Sequence, residues 1–569
     1  MPIRAASSDC ACAVRRLPAA KAGALPVPET TLLRAPPGAR TATPLCRIAQ
    51  EMAAQQGWRR YGIAFLLGAL MAAALPPVDL TPIVFAAIPL YLWLDDGSRT
   101  PGASGRLAYI FALGHFVAGL YWIAAALFVD IGRYWPVLPF GLFGMPAVLA
   151  SFVGVCLYGA ALARHRFKLT GLAWVCLFTV AWSASEWLRG HLFTGFPWNL
   201  TGYVWSGGFP GALAVLQSAS WFGVYGLGFI TVLAAALLSL LGASSLSPVG
   251  PWRRAMPAVA AAALILVPAG AGALRLHLMP TAETGVWLRL VQPSIAEAAK
   301  WDPEAAEANF HRLIELSSAP SERQLTAVIW PEAAATFFLD RDETHRKAIA
   351  GVAPQGGYVI TGALRGEPRI GQIEQVWNSL EVVDPAGKVT AQYDKAHLVP
   401  FGEYMPLSDL LPLKKFTPGS IDLSAGPGAR TLTLERLPPF SPLICYEAIF
   451  PNAVLDKSDR PAWLLNVSND AWYGRSAGPY QHFAMSRTRA VEEGLPLVRV
   501  ANNGISGVVD AEGRVLAHTS LDAIGYDDVA LPAADAPTPY FYLGDWIFLG
   551  MLVIAVVAGL APAMSRSER

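Results

Sequence analysis

The sequence predicts a bundle of membrane-spanning helices joined to a layered α/β domain that stands in water. Three observations predict it. Over 569 residues the chain is 54% hydrophobic and only 15% charged, far from a soluble average. Most apolar residues lie before Leu274 or after Trp546, whereas the stretch between carries most of the acidic side chains. Within that stretch, short β-rich runs alternate with helical ones. The formal net charge of +1 leaves no basic surplus, and no nucleic-acid motif is present, so nucleic acid is excluded as a partner.

Residues 1–57 are rich in Ala, Pro and Arg and lack a sustained apolar period, which predicts a disordered or mis-started N-terminal extension with Met52 as a candidate start. Residues 58–275 follow as a transmembrane bundle of about seven helices. The apolar runs are 60–77, 80–95, 107–129, 136–163, 171–188, 219–242 and 256–275, near the ~20 residues that cross ~30 Å of hydrocarbon. An eighth run, 545–563, lies in the C-terminal segment 541–569. On an eight-span path Arg59, Arg60, Arg99, Arg106, Arg164, Arg166, Lys168, Arg253, Arg254, Arg566 and Arg569 share one side; the alternate loops hold Arg133 and Arg189. Cytoplasmic loops hold the excess of Arg and Lys. Both termini are therefore expected in the cytoplasm, and residues 276–540 outside it.

In 276–540, strand candidates are 286–291, 325–330, 357–363, 378–383, 389–393, 441–445, 463–467, 496–501 and 505–509, with helices near 303–317, 342–351 and 479–493. Two turns look alike, Asp384-Pro385-Ala386-Gly387-Lys388 and Asp510-Ala511-Glu512-Gly513-Arg514. Their likeness suggests a two-layer β core with related halves.

Of six cysteines, only Cys445 falls in this domain, and the spacing of Cys10, Cys12, Cys46, Cys156, Cys176 and Cys445 fits neither a zinc site nor a disulfide framework. Cys445 ends the apolar run Pro442-Leu443-Ile444 and precedes Tyr446-Glu447-Ala448-Ile449-Phe450, which reads as a helix start. Backbone N–H groups there favour the thiolate and are placed to hold an oxyanion. A buried structural thiol is the alternative. A thiol acting as an acyl carrier needs a base and a positive group. Glu332, after Ala327-Val328-Ile329-Trp330-Pro331, and Lys395, after Gln392-Tyr393-Asp394, stand at similar strand ends. Either residue alone reads as an ordinary solvated loop charge.

Together, Trp330-Pro331-Glu332, the run Tyr393-Asp394-Lys395-Ala396-His397-Leu398-Val399-Pro400-Phe401-Gly402-Glu403-Tyr404, and Ile444-Cys445-Tyr446-Glu447 resemble the Glu, Lys and Cys blocks of the nitrilase superfamily. With the membrane spans added, the chain resembles that superfamily's membrane-embedded branch, the apolipoprotein N-acyltransferase family, over roughly 58–563. Asn469-Asp470-Ala471-Trp472-Tyr473-Gly474, Gln481-His482-Phe483 and Asn502-Asn503-Gly504-Ile505 extend the match. The resemblance implies a nitrilase-like αββα sandwich. It also implies Glu332 as general base, Lys395 as oxyanion stabiliser and Cys445 as nucleophile, supported by Glu403, Tyr446 and Glu447. It further implies a phospholipid acyl donor, with phosphatidylethanolamine expected, diacylglyceryl-modified apolipoproteins as acceptors, an inner-membrane location with a periplasmic catalytic domain, and a monomer without cofactor or metal.

Lipid-contact candidates are Trp301, which resembles a family tryptophan, Phe337 and Phe338 just after the glutamate, and Leu410 and Leu411 beside Lys414 and Lys415; the alternatives are an ordinary half-buried tryptophan for the first and burial in the domain core for the two loops. Gly195-Phe196-Pro197-Trp198-Asn199 resembles the family's Pro-Trp block and is expected on an outer loop without a catalytic role. A membrane-anchored amidase or nitrilase would use the same three residues, but about eight spans exceed what an anchor needs. A transporter is disfavoured, because few ionisable residues besides Asp130, Glu186 and Arg189 accompany the spans.

Overall fold

Helices stand at each of the apolar runs. In the computed structural model, which describes residues 43–242, 251–369, 372–406 and 422–567, three of them are long and apolar enough to cross a membrane. These are Trp135–Phe167, Ala219–Gly242 and Trp252–Leu278. A fourth candidate is the pair Pro101–Gly119 and Tyr121–Phe128, bent by 45°. The others fall short of the eight-span expectation for visible reasons. Gly57–Ala72 and Val84–Asp96 have only 16 and 13 residues, Leu172–His191 carries Glu186 and Arg189 buried within it, and the apolar part of the last helix is Trp546–Leu560. The expectation of a structureless stretch through residue 57 is also corrected, since Pro44–Ala53 is a helix that buries Cys46 and Ala49. Its fit is close: a Cβ on Gly97 would meet the Ala53 carbonyl at 2.2 Å.

The β-rich part forms two six-stranded sheets. The strands are β1 (Glu283–Gln292), β2 (Leu325–Ile329), β3 (Tyr358–Arg369), β4 (Gln372–Val383), β5 (Val389–Asp394), β6 (Leu432–Leu434), β7 (Leu437–Ile444), β8 (Trp463–Ser468), β9 (Leu497–Ala501), β10 (Gly507–Val509), β11 (Val515–His518) and β12 (Gly525–Pro532). One sheet runs β12-β1-β2-β3-β4-β5 and the other β11-β10-β9-β8-β7-β6. In the first, β1, β2 and β3 are parallel and β4 and β5 antiparallel. In the second, β7, β8 and β9 are parallel and β10 and β11 antiparallel. The halves therefore repeat one path, down to the turns. Asp384 Oδ1 accepts from the amides of Ala386 and Lys388, both at 2.9 Å, and Asp510 Oδ1 accepts from those of Glu512 and Arg514 at 3.1 and 2.7 Å. Gly387 and Gly513 close the two turns at φ +77° and +81°, a conformation that favours glycine.

Strand alternation sets the layers. Ala327 and Ile329 of β2 face the space between the sheets, where Phe440, Leu465, Val467 and Val498 meet them from the other side. Val328 points outward, under Phe310 and Leu313 of helix Pro303–Ser317 and Ile349 of helix Glu343–Gly351. Leu464 points outward in the second sheet, into a cluster with Ala490 of helix Gly478–Glu493. The result is the expected αββα sandwich. Three strands escaped the sequence pattern. β6 has only three residues, β11 alternates half-buried with exposed positions, and β12 carries Asp527 and Asp528 at a sheet edge.

Candidate active site

The chemistry gathers where β2, β5 and β7 end. Glu332, Lys395 and Cys445 each follow one of these strands and are buried. Lys395 Nζ lies 3.5 Å from Glu332 Oε1 and 2.9 Å from Glu403 Oε1. Burial alone would lower the Lys395 pKa; Glu403 and Glu332 outweigh that and raise it, so the ammonium stays charged. Glu332 is held as an acceptor on both oxygens. Asn378 Nδ2 donates to Oε1 at 2.8 Å and the Asn469 amide to Oε2 at 2.8 Å. Asn378 Nδ2 also lies 3.0 Å from Glu403 Oε1, so one amide bridges the two carboxylates. Glu403 Oε2 accepts from the Val399 amide at 2.8 Å, which fixes the loop after Lys395.

Cys445 occupies the left-handed region at φ +52°, a conformation that costs an L-residue about 1–3 kcal/mol and persists only where its surroundings impose it. Those surroundings are visible. Glu447 Oε2 accepts from the Ile444 amide at 2.7 Å, and its Oε1 accepts from Tyr393 Oη at 2.8 Å and from the amides of Ala396 and His397 at 2.7 and 3.1 Å. Glu447 therefore ties the strand end at Cys445 to the loop that carries Lys395. Tyr446 Oη donates to the Gly195 carbonyl at 3.1 Å and its ring stacks on Phe196 with centroids 6.5 Å apart. The expected Pro-Trp block thus buttresses the residue after Cys445.

One electrostatic expectation is overturned. The helix start at Cys445 was expected to favour the thiolate, but the element is a single 3₁₀ turn, Cys445–Ile449. Burial first, and the Glu332 carboxylate second, push the thiol up to about 12, with Lys395 only partly opposing them. Cys445 therefore rests as a thiol, which would need a base to act as a nucleophile.

Beside this cluster runs a groove of about 630 Å³, within the ~300–1,000 Å³ usual for small-molecule sites. His191, Phe193 and Thr194 line it on one side and His397, Tyr404 and Phe450 on the other, and it reaches Ala396, next to Lys395. Phe193 is 93% exposed at its mouth.

The matching family models divide the chain as the fold does. The apolipoprotein N-acyltransferase N-terminal domain matches residues 67–237 and the carbon–nitrogen hydrolase domain residues 288–536. An apolipoprotein N-acyltransferase of Rhodopseudomonas palustris is 38% identical over 88% of this chain and 95% of its own. The chain belongs to the apolipoprotein N-acyltransferase family. A second family member, from Bradyrhizobium diazoefficiens, is 40% identical over 90% of this chain and 97% of its own. Among solved structures, a nitrilase-superfamily amidase from Nesterenkonia AN1 is 21% identical over 47% of this chain and 95% of its own, at a TM-score of 0.33.

The lipid-contact candidates separate within this family member. Trp301 is half-buried, and its indole donates to Glu297 Oε1 at 2.9 Å; Glu297 Oε2 accepts from Asn469 Nδ2 at 2.6 Å, one step from Glu332. Phe337 instead packs into the outer-face cluster, stacked on His345 with centroids 3.6 Å apart and beside Phe310. Phe338 lies against the Arg341 guanidinium at 5.8 Å. Neither phenylalanine lines the groove; Phe310 of helix Pro303–Ser317 covers Phe337. Leu410 and Leu411 lie outside the described residues. Sequence reasoning missed Asn378, Lys300 and the groove's Phe193. Lys300 is buried, which lowers its pKa, and its Nζ donates to the Glu332 carbonyl at 2.9 Å.

Proposed function

We propose that this chain transfers a fatty acyl group from a phospholipid to the α-amino group of the N-terminal S-diacylglyceryl-cysteine of an apolipoprotein, through a thioester on Cys445. The observation that carries the reading is the buried, charged Lys395 3.5 Å from the Glu332 carboxylate, both acting electrostatically on the buried Cys445 thiol, with a groove lined partly by the membrane part reaching Ala396 beside Lys395. Glu332 takes the thiol proton as sulfur attacks the ester carbonyl, and Lys395 stabilises the tetrahedral oxyanion. The C–O bond then breaks, and the leaving alkoxide departs as lysophospholipid with the proton from Glu332. The amine attacks the thioester, Glu332 accepts its proton, and the thiol leaves, regenerating Cys445–SH. No cofactor enters this scheme.

Phosphatidylethanolamine is the proposed donor and a monomer the working unit. Eight spans would place the protein in the bacterial inner membrane, with residues 276–540 on the periplasmic side and both termini in the cytoplasm. Trp301 and the groove are proposed to receive the acyl chain.

The test is transfer in detergent or vesicles from phosphatidylethanolamine to a diacylglyceryl-cysteine peptide. The wild-type chain forms the N-acyl amide, and Cys445→Ala, Glu332→Gln and Lys395→Met do not. Hydrolysis of small amides with no transfer would instead favour an anchored amidase.

A further inference from the structure

We propose that His482 is a positioning residue for this acyl transfer: its Nε2–H holds the Cys445 carbonyl and thereby the strained backbone from which the thiol attacks. The proposal rests on Cys445 being the acyl carrier. His482 Nε2 lies 3.1 Å from the Cys445 carbonyl oxygen. A second donor, Asn466 Nδ2, is 3.4 Å from that oxygen and closer, at 3.1 Å, to the Leu443 carbonyl. His482 therefore makes the shorter contact to the one residue of the elbow that adopts φ +52°.

The ring's protonation follows from what surrounds it. Nε2 faces a carbonyl oxygen, which accepts only, so Nε2 must carry a hydrogen. Nδ1 lies 3.0 Å from Arg499 Nη2 and 3.0 Å from Asp470 Oδ1. Burial and the Arg499 charge lower the pKa of the imidazole, so it is neutral, with Nδ1 accepting from Arg499. Asp470 has its own partners: Arg499 Nη2 at 2.8 Å and Ser468 Oγ at 2.9 Å. Burial alone would raise the Asp470 carboxyl, but the Arg499 guanidinium holds it well below the usual range. The pair Asp470–Arg499 thus fixes one tautomer of His482, aimed at the nucleophile's backbone.

The adjacent residue fixes where that ring stands. Gln481 Oε1 accepts from the indoles of Trp198 and Trp122 at 2.7 and 3.2 Å, and its Nε2 donates to the Pro76 carbonyl at 3.3 Å. All three partners belong to the membrane part. The first turn of helix Gly478–Glu493 is therefore pinned to the bundle through Gln481 and to the nucleophile through His482.

The experiment measures single-turnover thioester formation on the full chain in detergent, with a phospholipid labelled in its acyl chain and no acceptor. His482→Gln keeps a donor near the Nε2 position, His482→Asn moves it toward Nδ1, and His482→Leu removes it. The expected result is near-wild-type rate for His482→Gln and a fall of roughly 10–100-fold for His482→Asn and His482→Leu, with donor KM unchanged, as for displaced reacting groups. Equal rates for the Gln and Asn variants, or a wild-type rate in His482→Leu, would overturn the proposal. Cys445→Ala is run beside them. Label retained in that variant overturns the thioester reading and this proposal together, whereas label lost there but gained at the wild-type rate in His482→Leu overturns this proposal alone.

Discussion

Lys395 Nζ lies 2.9 Å from Glu403 Oε1, closer than its 3.5 Å approach to Glu332. The lysine is thus held mainly by one carboxylate, and the other is the one proposed as the base. Glu403→Gln keeps an acceptor for Lys395 but removes the charge that does most to keep the ammonium protonated. Its kcat is expected to fall about 10-fold, against roughly 10²–10³ for Lys395→Met, which deletes the oxyanion partner. Steady-state kinetics of the two variants at one pH checks the ranking.

The high thiol pKa gives a test whose sign differs from that for activity. Glu332 raises the Cys445 pKa and Lys395 lowers it. Glu332→Gln should therefore increase the thiolate fraction at fixed pH and speed alkylation of Cys445, even as acyl transfer is lost. Lys395→Met should slow both. Iodoacetamide labelling followed over pH 7–10 measures this, and slower alkylation in Glu332→Gln would contradict the assigned geometry.

Glu447 accepts from the Tyr393 hydroxyl and from the amides of Ile444, Ala396 and His397. Glu447→Ala strands four donors at a buried position, a cost of about 4 kcal/mol or more at ~1–3 kcal/mol for each unsatisfied group. Tyr393→Phe removes a single donor and should cost about 1 kcal/mol. Thermal melts of the two purified variants should show a large and a small fall, with activity following the melt.

Tyr446 joins the catalytic domain to the membrane part through its hydroxyl on Gly195 and its ring on Phe196. Tyr446→Phe keeps the stacking and should cost about 1 kcal/mol. Gly195→Ala should be worse, because Gly195 sits at φ +74° and an added Cβ would meet the Gly190 carbonyl at 2.3 Å. Comparing melting temperatures and transfer rates for the pair checks that order.

Much of this was legible in the residues because alternation and apolar length are local signals. Glu332, Lys395 and Cys445 each follow a strand that the sequence marks, and the matched turns at Asp384 and Asp510 foretold the repeated sheets. What escaped depends on partners distant in sequence. Asn378 lies mid-strand and shows its role only when Glu332 and Glu403 arrive on either side. Asn469 serves Glu332 through a backbone amide, which its residue type does not advertise. Phe337 read equally as a lipid-facing or a core residue, and His345 and Phe310, distant in sequence, decide for the core. The Cys445 thiol was expected to be acidified by a helix start; burial and a carboxylate from another strand decide its ionisation instead. Helix length also escaped hydropathy, since Pro44–Ala53 forms within a stretch that has no long apolar run.

The central claim is that the sulfur of Cys445 carries the acyl group. Mass spectrometry of the Cys445 peptide, after incubation with a phospholipid and no acceptor, tests it most directly. One acyl mass on that residue is predicted, removed by adding a diacylglyceryl-cysteine peptide as its N-acyl amide forms. An unmodified Cys445 alongside normal transfer, or an adduct that yields only free fatty acid, would contradict the account.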